Sequence, residues 1–181
     1  MKYLRFVVVA LTLLCTTSVF AQFTSGGTRA KETAQVVSNN GPQKGYSGSV
    51  ELGYGIGLQD SYWYWYDSSR LTVTTVHGYQ FNPYLFVGGG IGVSAWFDHE
   101  TVAIPIFADV RGTLPLGSSI VSLFADFRVG YSPFDIYGVY VSPTVGVRVG
   151  RSKAATFSLG YEMVDNSSYG GAFNFRVGYE W

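Results

Sequence analysis

The sequence predicts an all-β fold: an eight-stranded antiparallel up-and-down transmembrane β-barrel preceded by an N-terminal signal peptide. Three observations carry that prediction. Strict alternation of apolar and polar residues, the period of a strand with two unlike faces, returns repeatedly between Tyr46 and Trp181. The runs match the roughly 9–11 residues that a tilted strand needs to cross a bilayer. Finally, Lys2, Lys31, Lys44 and Lys153 all fall outside these runs, whereas sheets that face water ordinarily carry lysine.

Composition agrees with a surface that is not built for water. Of 181 residues, 17% are aromatic and only 13% charged, too few charges to cover an ordinary soluble surface. The formal net charge of +0 offers no basic footprint for nucleic acid. The N-terminus reads as an export signal: Lys2 and Arg5 are followed by the apolar run Phe6–Leu14, then a more polar stretch ending in Val19-Phe20-Ala21. Residues 1–21 are therefore expected to be a cleaved signal peptide, with Gln22 the new N-terminus. Cys15 would leave with it, and Leu14 before it is too large for a lipoprotein site. The mature chain then has no disulfide, thiol nucleophile or cysteine metal ligand. Residues 22–45 are polar and aperiodic and read as a flexible leader, and residues 46–181 as the barrel domain.

The eight strands follow in order. The first, about Tyr46–Leu58, sets Val50, Leu52, Tyr54 and Ile56 against Ser49, Glu51, Gly53 and Gly55. The second, about Leu71–Phe81, sets Leu71, Val73, Tyr79 and Phe81 against Thr72, Thr74, Gly78 and Gln80, and Asn82-Pro83 turns the chain. The third, Tyr84–Phe97, alternates Leu85, Val87, Ile91 and Val93 with Gly88, Gly90, Gly92 and Ser94. The fourth, about Val102–Leu114, alternates Ile104, Ile106, Ala108 and Val110 with Phe107, Asp109 and Arg111. The fifth, Ile120–Tyr131, opposes Leu123, Ala125, Phe127 and Val129 to Ser122, Asp126 and Arg128. The sixth, Val139–Gly150, opposes Val141, Val145 and Val147 to Ser142, Thr144 and Arg148. The seventh, Ala155–Met163, opposes Phe157, Leu159 and Tyr161 to Ser158, Gly160 and Glu162. The last, Phe173–Trp181, opposes Phe175, Val177 and Tyr179 to Asn174, Arg176 and Glu180. Odd-numbered strands are followed by the longer segments Gln59–Arg70, Asp98–Thr101, Ser132–Gly138 and Val164–Gly171, and even-numbered strands by tight turns, the outer-loop and inner-turn asymmetry of membrane barrels.

Charge decides which face is outside. Strand charges come in both signs: Glu51, Asp109, Asp126, Glu162 and Glu180 against Arg111, Arg128, Arg148 and Arg176. An arginine facing lipid costs ~2–4 kcal/mol at the midplane, so the opposite phase would cost an amount comparable to the whole stability of a domain. The polar face is thus assigned to the lumen, where these nine residues form a charge network. Antiparallel pairing of the fourth and fifth strands brings Asp109 to Arg128 and Arg111 to Asp126. The aromatic residues Tyr79, Phe81, Tyr84, Tyr179 and Trp181 then mark the inner rim, and Phe97, Tyr131, Tyr161 and Phe173 the outer one. Arg176 and Glu180 are expected to reach the first strand near Glu51.

With strand number, loop asymmetry and a terminal aromatic in place, and with the stretches His77–Leu85 and Pro105–Arg111 beside them, the chain resembles the small eight-stranded outer-membrane barrels of Gram-negative bacteria, the porin-like proteins of the OmpA and OmpX kind. The resemblance implies the cell outer membrane as location and outer-membrane lipid as surroundings. It also implies that the barrel-assembly machinery reads the last strand, where Tyr179 and Trp181 match its signal. No appended peptidoglycan-binding domain is expected.

Little in the sequence suggests chemistry. Gly88-Gly89-Gly90-Ile91-Gly92 lacks the spacing of a phosphate loop and no helix follows. His99, between Asp98 and Glu100, reads as a surface-loop histidine, and His77 as a lipid-facing residue near the inner rim. No catalytic, metal or cofactor residues are assigned. Pro105 and Pro143 fall inside strands, where proline cannot donate to the ladder, and could weaken the wall enough for lateral exchange of an apolar ligand. Tyr62, Trp63, Tyr64, Trp65 and Tyr66 form an apolar outer loop, the candidate contact site for an extracellular protein, glycan or lipid. The expected role is structural or surface-interacting; a narrow conduit or binding barrel for small or apolar solutes is the alternative, and a lipid-modifying enzyme a more distant one.

Overall fold

The computed structural model describes residues 42–57, 69–96, 101–116, 120–134, 136–164 and 171–181. The expected signal peptide, most of the expected leader, Phe97, His99 and the Tyr62–Tyr66 stretch lie outside the described residues.

The strands are β1 (Gly45–Gly57), β2 (Arg70–Asn82), β3 (Leu85–Trp96), β4 (Thr101–Ala103), β5 (Ile106–Pro115), β6 (Val121–Ser132), β7 (Gly138–Gly150), β8 (Ala154–Val164) and β9 (Gly171–Glu180). Every neighbouring pair is antiparallel, and β1 pairs with both β2 and β9, so the sheet closes on itself as an eight-walled ring. β4 and β5 are one crossing in two pieces. Both keep the same register on β3, Ser94↔Ala103 and Ile91↔Ile106, but Ile104 and Pro105 fall out of the ladder between them. The fourth predicted strand is therefore broken rather than continuous. The reason is Pro105, which has no N–H to give, although its carbonyl still accepts from the Gly92 N–H at 2.9 Å.

The tight turns are satisfied locally. Asn82 ends β2, and its Oδ1 accepts from the backbone N–H groups of Tyr84 and Leu85 at 2.8 and 3.0 Å, the hydrogen-bonding habit that makes asparagine a turn residue. At the seam, Trp181 N–H donates to the Gly48 carbonyl at 2.9 Å and Gly48 N–H to the Trp181 carbonyl at 3.1 Å.

The exposure pattern is inverted relative to a soluble sheet. Leu52, Tyr54, Val110, Phe127, Val145, Leu159, Phe175 and Tyr179 are all exposed. Glu51, Thr72, Asp109, Arg128, Arg148, Glu162 and Asn174 are buried. Soluble monomers rarely carry contiguous apolar surface beyond a few hundred Å². Here that surface runs all the way round, so the ring is a transmembrane barrel with its apolar face to lipid. Aromatic residues gather where the strands end. Tyr79 and Phe81 meet edge to face at 5.2 Å and Tyr179 lies 6.2 Å from Trp181 at one end of the barrel. Tyr161 and Phe173 meet at 6.2 Å toward the other end.

Phase and cost together give the first test. Val110 faces outward in the middle of β5, so Val110→Arg should destabilise the folded barrel in phospholipid vesicles by ~2–4 kcal/mol, read from the guanidinium unfolding midpoint. A cost near zero would place Val110 away from hydrocarbon.

Candidate functional site: the charged lumen

Each charged lumen residue is placed by strand parity, which turns every second side chain inward. All nine residues of the proposed network face the lumen and are buried. The Cα register of β5 and β6 sets Asp109 opposite Arg128 and Arg111 opposite Asp126. The shortest ion pairs are not these direct neighbours, at 3.8 Å in both cases. Arg128 instead reaches across the barrel to Glu51 at 2.8 Å and along its own strand to Asp126 at 3.1 Å. Arg111 bridges Glu180 at 3.0 Å and Glu51 at 3.4 Å. Arg148 holds the other oxygen of Glu180 at 2.8 Å and donates to the carbonyls of Gly150 and Arg151, tying the network to the β7–β8 turn.

A second cluster lies toward the opposite end. Glu162 accepts from Arg176 at 3.0 Å and from Asn174 at 2.8 Å. The Nη2 of Arg176 that meets Glu162 also donates to Ser142 at 2.5 Å, and Nη1 donates to Thr144 at 3.2 Å. Arg176 thus turns to β7 and β8, not to Glu51. Glu180 likewise pairs with Arg111 and Arg148, although Ser49 is its backbone neighbour on β1. Period-two parity places both side chains inside but says nothing of partners across the ring, which depend on stagger and side-chain reach.

Arg70 belongs to this second cluster. Its Nε lies 3.2 Å from Glu162 Oε1 and its Nη2 donates to the Glu162 carbonyl at 2.8 Å. Reading Gln59–Arg70 as a loop left it out. The signal was present, because Arg70 shares the phase of Thr72 and Thr74 and begins β2.

Aromatic rings fill what the charges leave. Phe86, Trp96, Phe107, Phe124 and Tyr140 all point inward and are buried. Arg111 lies between Phe86 and Phe124, its guanidinium carbon 5.5 and 5.1 Å from their centres, Arg128 lies over Phe107 at 5.4 Å, and Arg70 over Trp96 at 5.1 Å. Cation–π attraction is strengthened when the pair is removed from water. The glycine face of β3 is crowded by the neighbouring strand and by these rings: a methyl group on Gly88 would come 2.6 Å from the His77 carbonyl and 2.7 Å from Phe86, and one on Gly90 2.5 Å from the Thr75 carbonyl and 2.7 Å from Phe107. The glycines are space for aromatics rather than a phosphate cradle.

His77 faces outward and is fully engaged: Tyr46 Oη lies 2.6 Å from Nδ1, Thr75 Oγ1 3.0 Å from Nε2, and the ring meets Trp181 edge-on at 6.2 Å. A lipid-facing histidine held this way is part of the rim.

No known protein-family pattern matches the chain, and no curated protein sequence does. Among solved structures it is similar to a de novo designed transmembrane β-barrel, with 15% identity over 77% of this chain and 95% of that one and a TM-score of 0.47. It is also similar to the Yersinia pestis outer membrane protein Ail in a phospholipid bilayer nanodisc, with 15% identity over 76% of this chain and 99% of that one and a TM-score of 0.45.

The Arg128–Glu51 pair is the sharpest handle on the network. Arg128→Met should cost ~3–5 kcal/mol by leaving buried carboxylates uncompensated. Adding Glu51→Met should recover part of that loss, with a coupling above ~0.5 kcal/mol in a double-mutant cycle. Unfolding titrations in vesicles read both, and strictly additive costs would show that the two groups do not interact.

Proposed function

We propose that this chain is an integral protein of the bacterial outer membrane whose barrel is a sealed scaffold and whose activity lies at its surface. The observation that supports this reading is the packing of the lumen. Arg70, Arg111, Arg128, Arg148 and Arg176 share it with Glu51, Asp109, Asp126, Glu162 and Glu180, and inward rings occupy the space between. An eight-stranded barrel is only wide enough for side chains to fill, and the packing of the described lumen residues supports a barrel without a water-filled path.

Export would use the signal peptide in residues 1–21, and folding into the membrane would use the assembly machinery, which meets Tyr179 and Trp181 on the last strand. With the interior occupied, recognition falls to the outer loops. Tyr62, Trp63, Tyr64, Trp65 and Tyr66 carry the surface chemistry best suited to an extracellular protein, glycan or lipid ligand, because exposed apolar clusters mark contact sites. In this reading the protein is not an enzyme. The alternative, a barrel that binds apolar solutes, draws its support from the ladder breaks at Pro105 and Pro143.

Purified protein in planar bilayers should give no unitary conductance steps; reproducible steps would overturn the sealed lumen. The same protein should bind to an extracellular-matrix, glycan or lipid array through the outer loop and lose that binding when residues 62–66 are scrambled. Equal binding by both forms would remove the loop from the reading.

A further inference from the structure

The β7–β8 ladder has a hole. Its register is constant on both sides, Val141↔Met163 below the count and Thr144↔Gly160 above it, yet Ser142 and Pro143 have no partners on β8. Pro143 faces outward and cannot donate a backbone hydrogen bond. On the lipid side a groove of about 510 Å³ lies over this interruption, bordered by Pro143, Val145, Leu159, Tyr161, Phe173 and Phe175. Lumen-facing positions, Thr144, Gly160 and Asn174 among them, also border it.

Behind the same interruption sits the second charge cluster. Arg176 donates to Ser142 and Thr144, the two residues that flank Pro143. Among the described residues two guanidiniums, Arg70 and Arg176, there share one carboxylate, Glu162, a local excess of one positive charge that is balanced over the whole lumen by the acid-rich first cluster. Both arginines are at least nine-tenths buried, and Arg70 Nη1 and Arg176 Nε have no hydrogen-bond partner among the described residues. Buried charged donors left without an acceptor are costly. One further monoanion would neutralise the cluster and satisfy them.

We propose that the interruption at Pro143 is a lateral binding site for a long-chain monocarboxylate, with the alkyl chain in the lipid-facing groove and the carboxylate turned through the weakened ladder to Arg176 and Arg70. The chemistry on either side of the wall selects the ligand. The groove is apolar and open to the bilayer, which supplies such a molecule directly. The cluster has the charge to match one carboxylate and not a phosphate dianion. The missing rung, where Ser142 and Pro143 lie across from Glu162 and Tyr161, lowers the cost of parting β7 from β8 next to the Thr144–Gly160 pair. The proposal depends on the barrel being in a membrane and not on the outer loop, so loss of loop binding and loss of this site are separate results.

The test uses the full barrel in phospholipid nanodiscs with doxyl-labelled stearic acid, its methyl ester and a doxyl-labelled lysophosphatidic acid, followed by electron paramagnetic resonance. The acid should show a saturable, stoichiometric, motionally restricted population that the methyl ester lacks. Arg176→Gln should weaken it at least tenfold, about the loss of one charge-assisted hydrogen bond. Equal restriction of the ester would show ordinary solvation of the wall and overturn the proposal, as would tighter binding of the lysophosphatidic acid. Folding is followed by heat-modifiable electrophoretic mobility. If Arg176→Gln fails to fold, Val145→Trp, which fills the groove and keeps both arginines, decides: binding of the acid should be lost, and unchanged binding would overturn the site.

Discussion

The charges that face the inside of this barrel are buried, and that constraint organises the molecule. Each arginine must find a carboxylate within the reach of its own side chain, across a lumen narrow enough that residues on opposite walls meet. Glu51 on β1 and Arg128 on β6 do so at 2.8 Å, Arg111 on β5 and Glu180 on β9 at 3.0 Å. These pairs hold opposite walls at fixed separation, which backbone ladders between neighbours cannot do. Stability here is a matter of matching rather than of added attraction. A buried ion pair gains little over an apolar pair of the same shape, but removing one partner leaves the other uncompensated and costs far more.

The backbone answers the same constraint by closing. No unsatisfied N–H or carbonyl is tolerable in hydrocarbon, and the pairing of β1 with β9 removes the edge that an open sheet would expose. Pro105 and Pro143 are the exceptions, and the two differ. Pro105 faces inward and splits a crossing in two while leaving its carbonyl bonded to Gly92. Pro143 faces outward and leaves its strand intact but opens the ladder to the next one. The same residue type thus produces a local break in one wall and a weakened joint between two.

The sequence was most readable where the physics is local. Strand number, the phase of each strand and the register of Asp109 with Arg128 all follow from period-two alternation and short turns, and the structure has them. What was missed depends on geometry across the lumen. Phe107 was already set on the polar face of the fourth strand, but Phe86, Phe124 and Tyr140 also point inward; these three were overlooked because an inward aromatic interrupts the polar face. Arg70 was lost to a loop because the second strand was begun one residue late. The turn of Arg176 toward Ser142 and Glu162 could not be read at all, since no spacing in one strand encodes which side of the barrel a long side chain will choose.

The interlocking of rings and glycines has a consequence for how such a lumen can change over generations. Gly90 has no room for a side chain because the Thr75 carbonyl of the neighbouring strand and the Phe107 ring both occupy the space that a methyl group would need. Neither position can drift alone: a larger residue at 90 meets the ring, and a smaller residue at 107 leaves a void beside the glycine. Gly88 is held in the same way, by the His77 carbonyl and the Phe86 ring, so both glycines stay fixed by the wall itself as well as by the ring beside them. The outward face, which needs only to remain apolar, is free to diverge position by position. Related barrels should therefore differ most in the residues that touch lipid and keep the glycine face of their interiors.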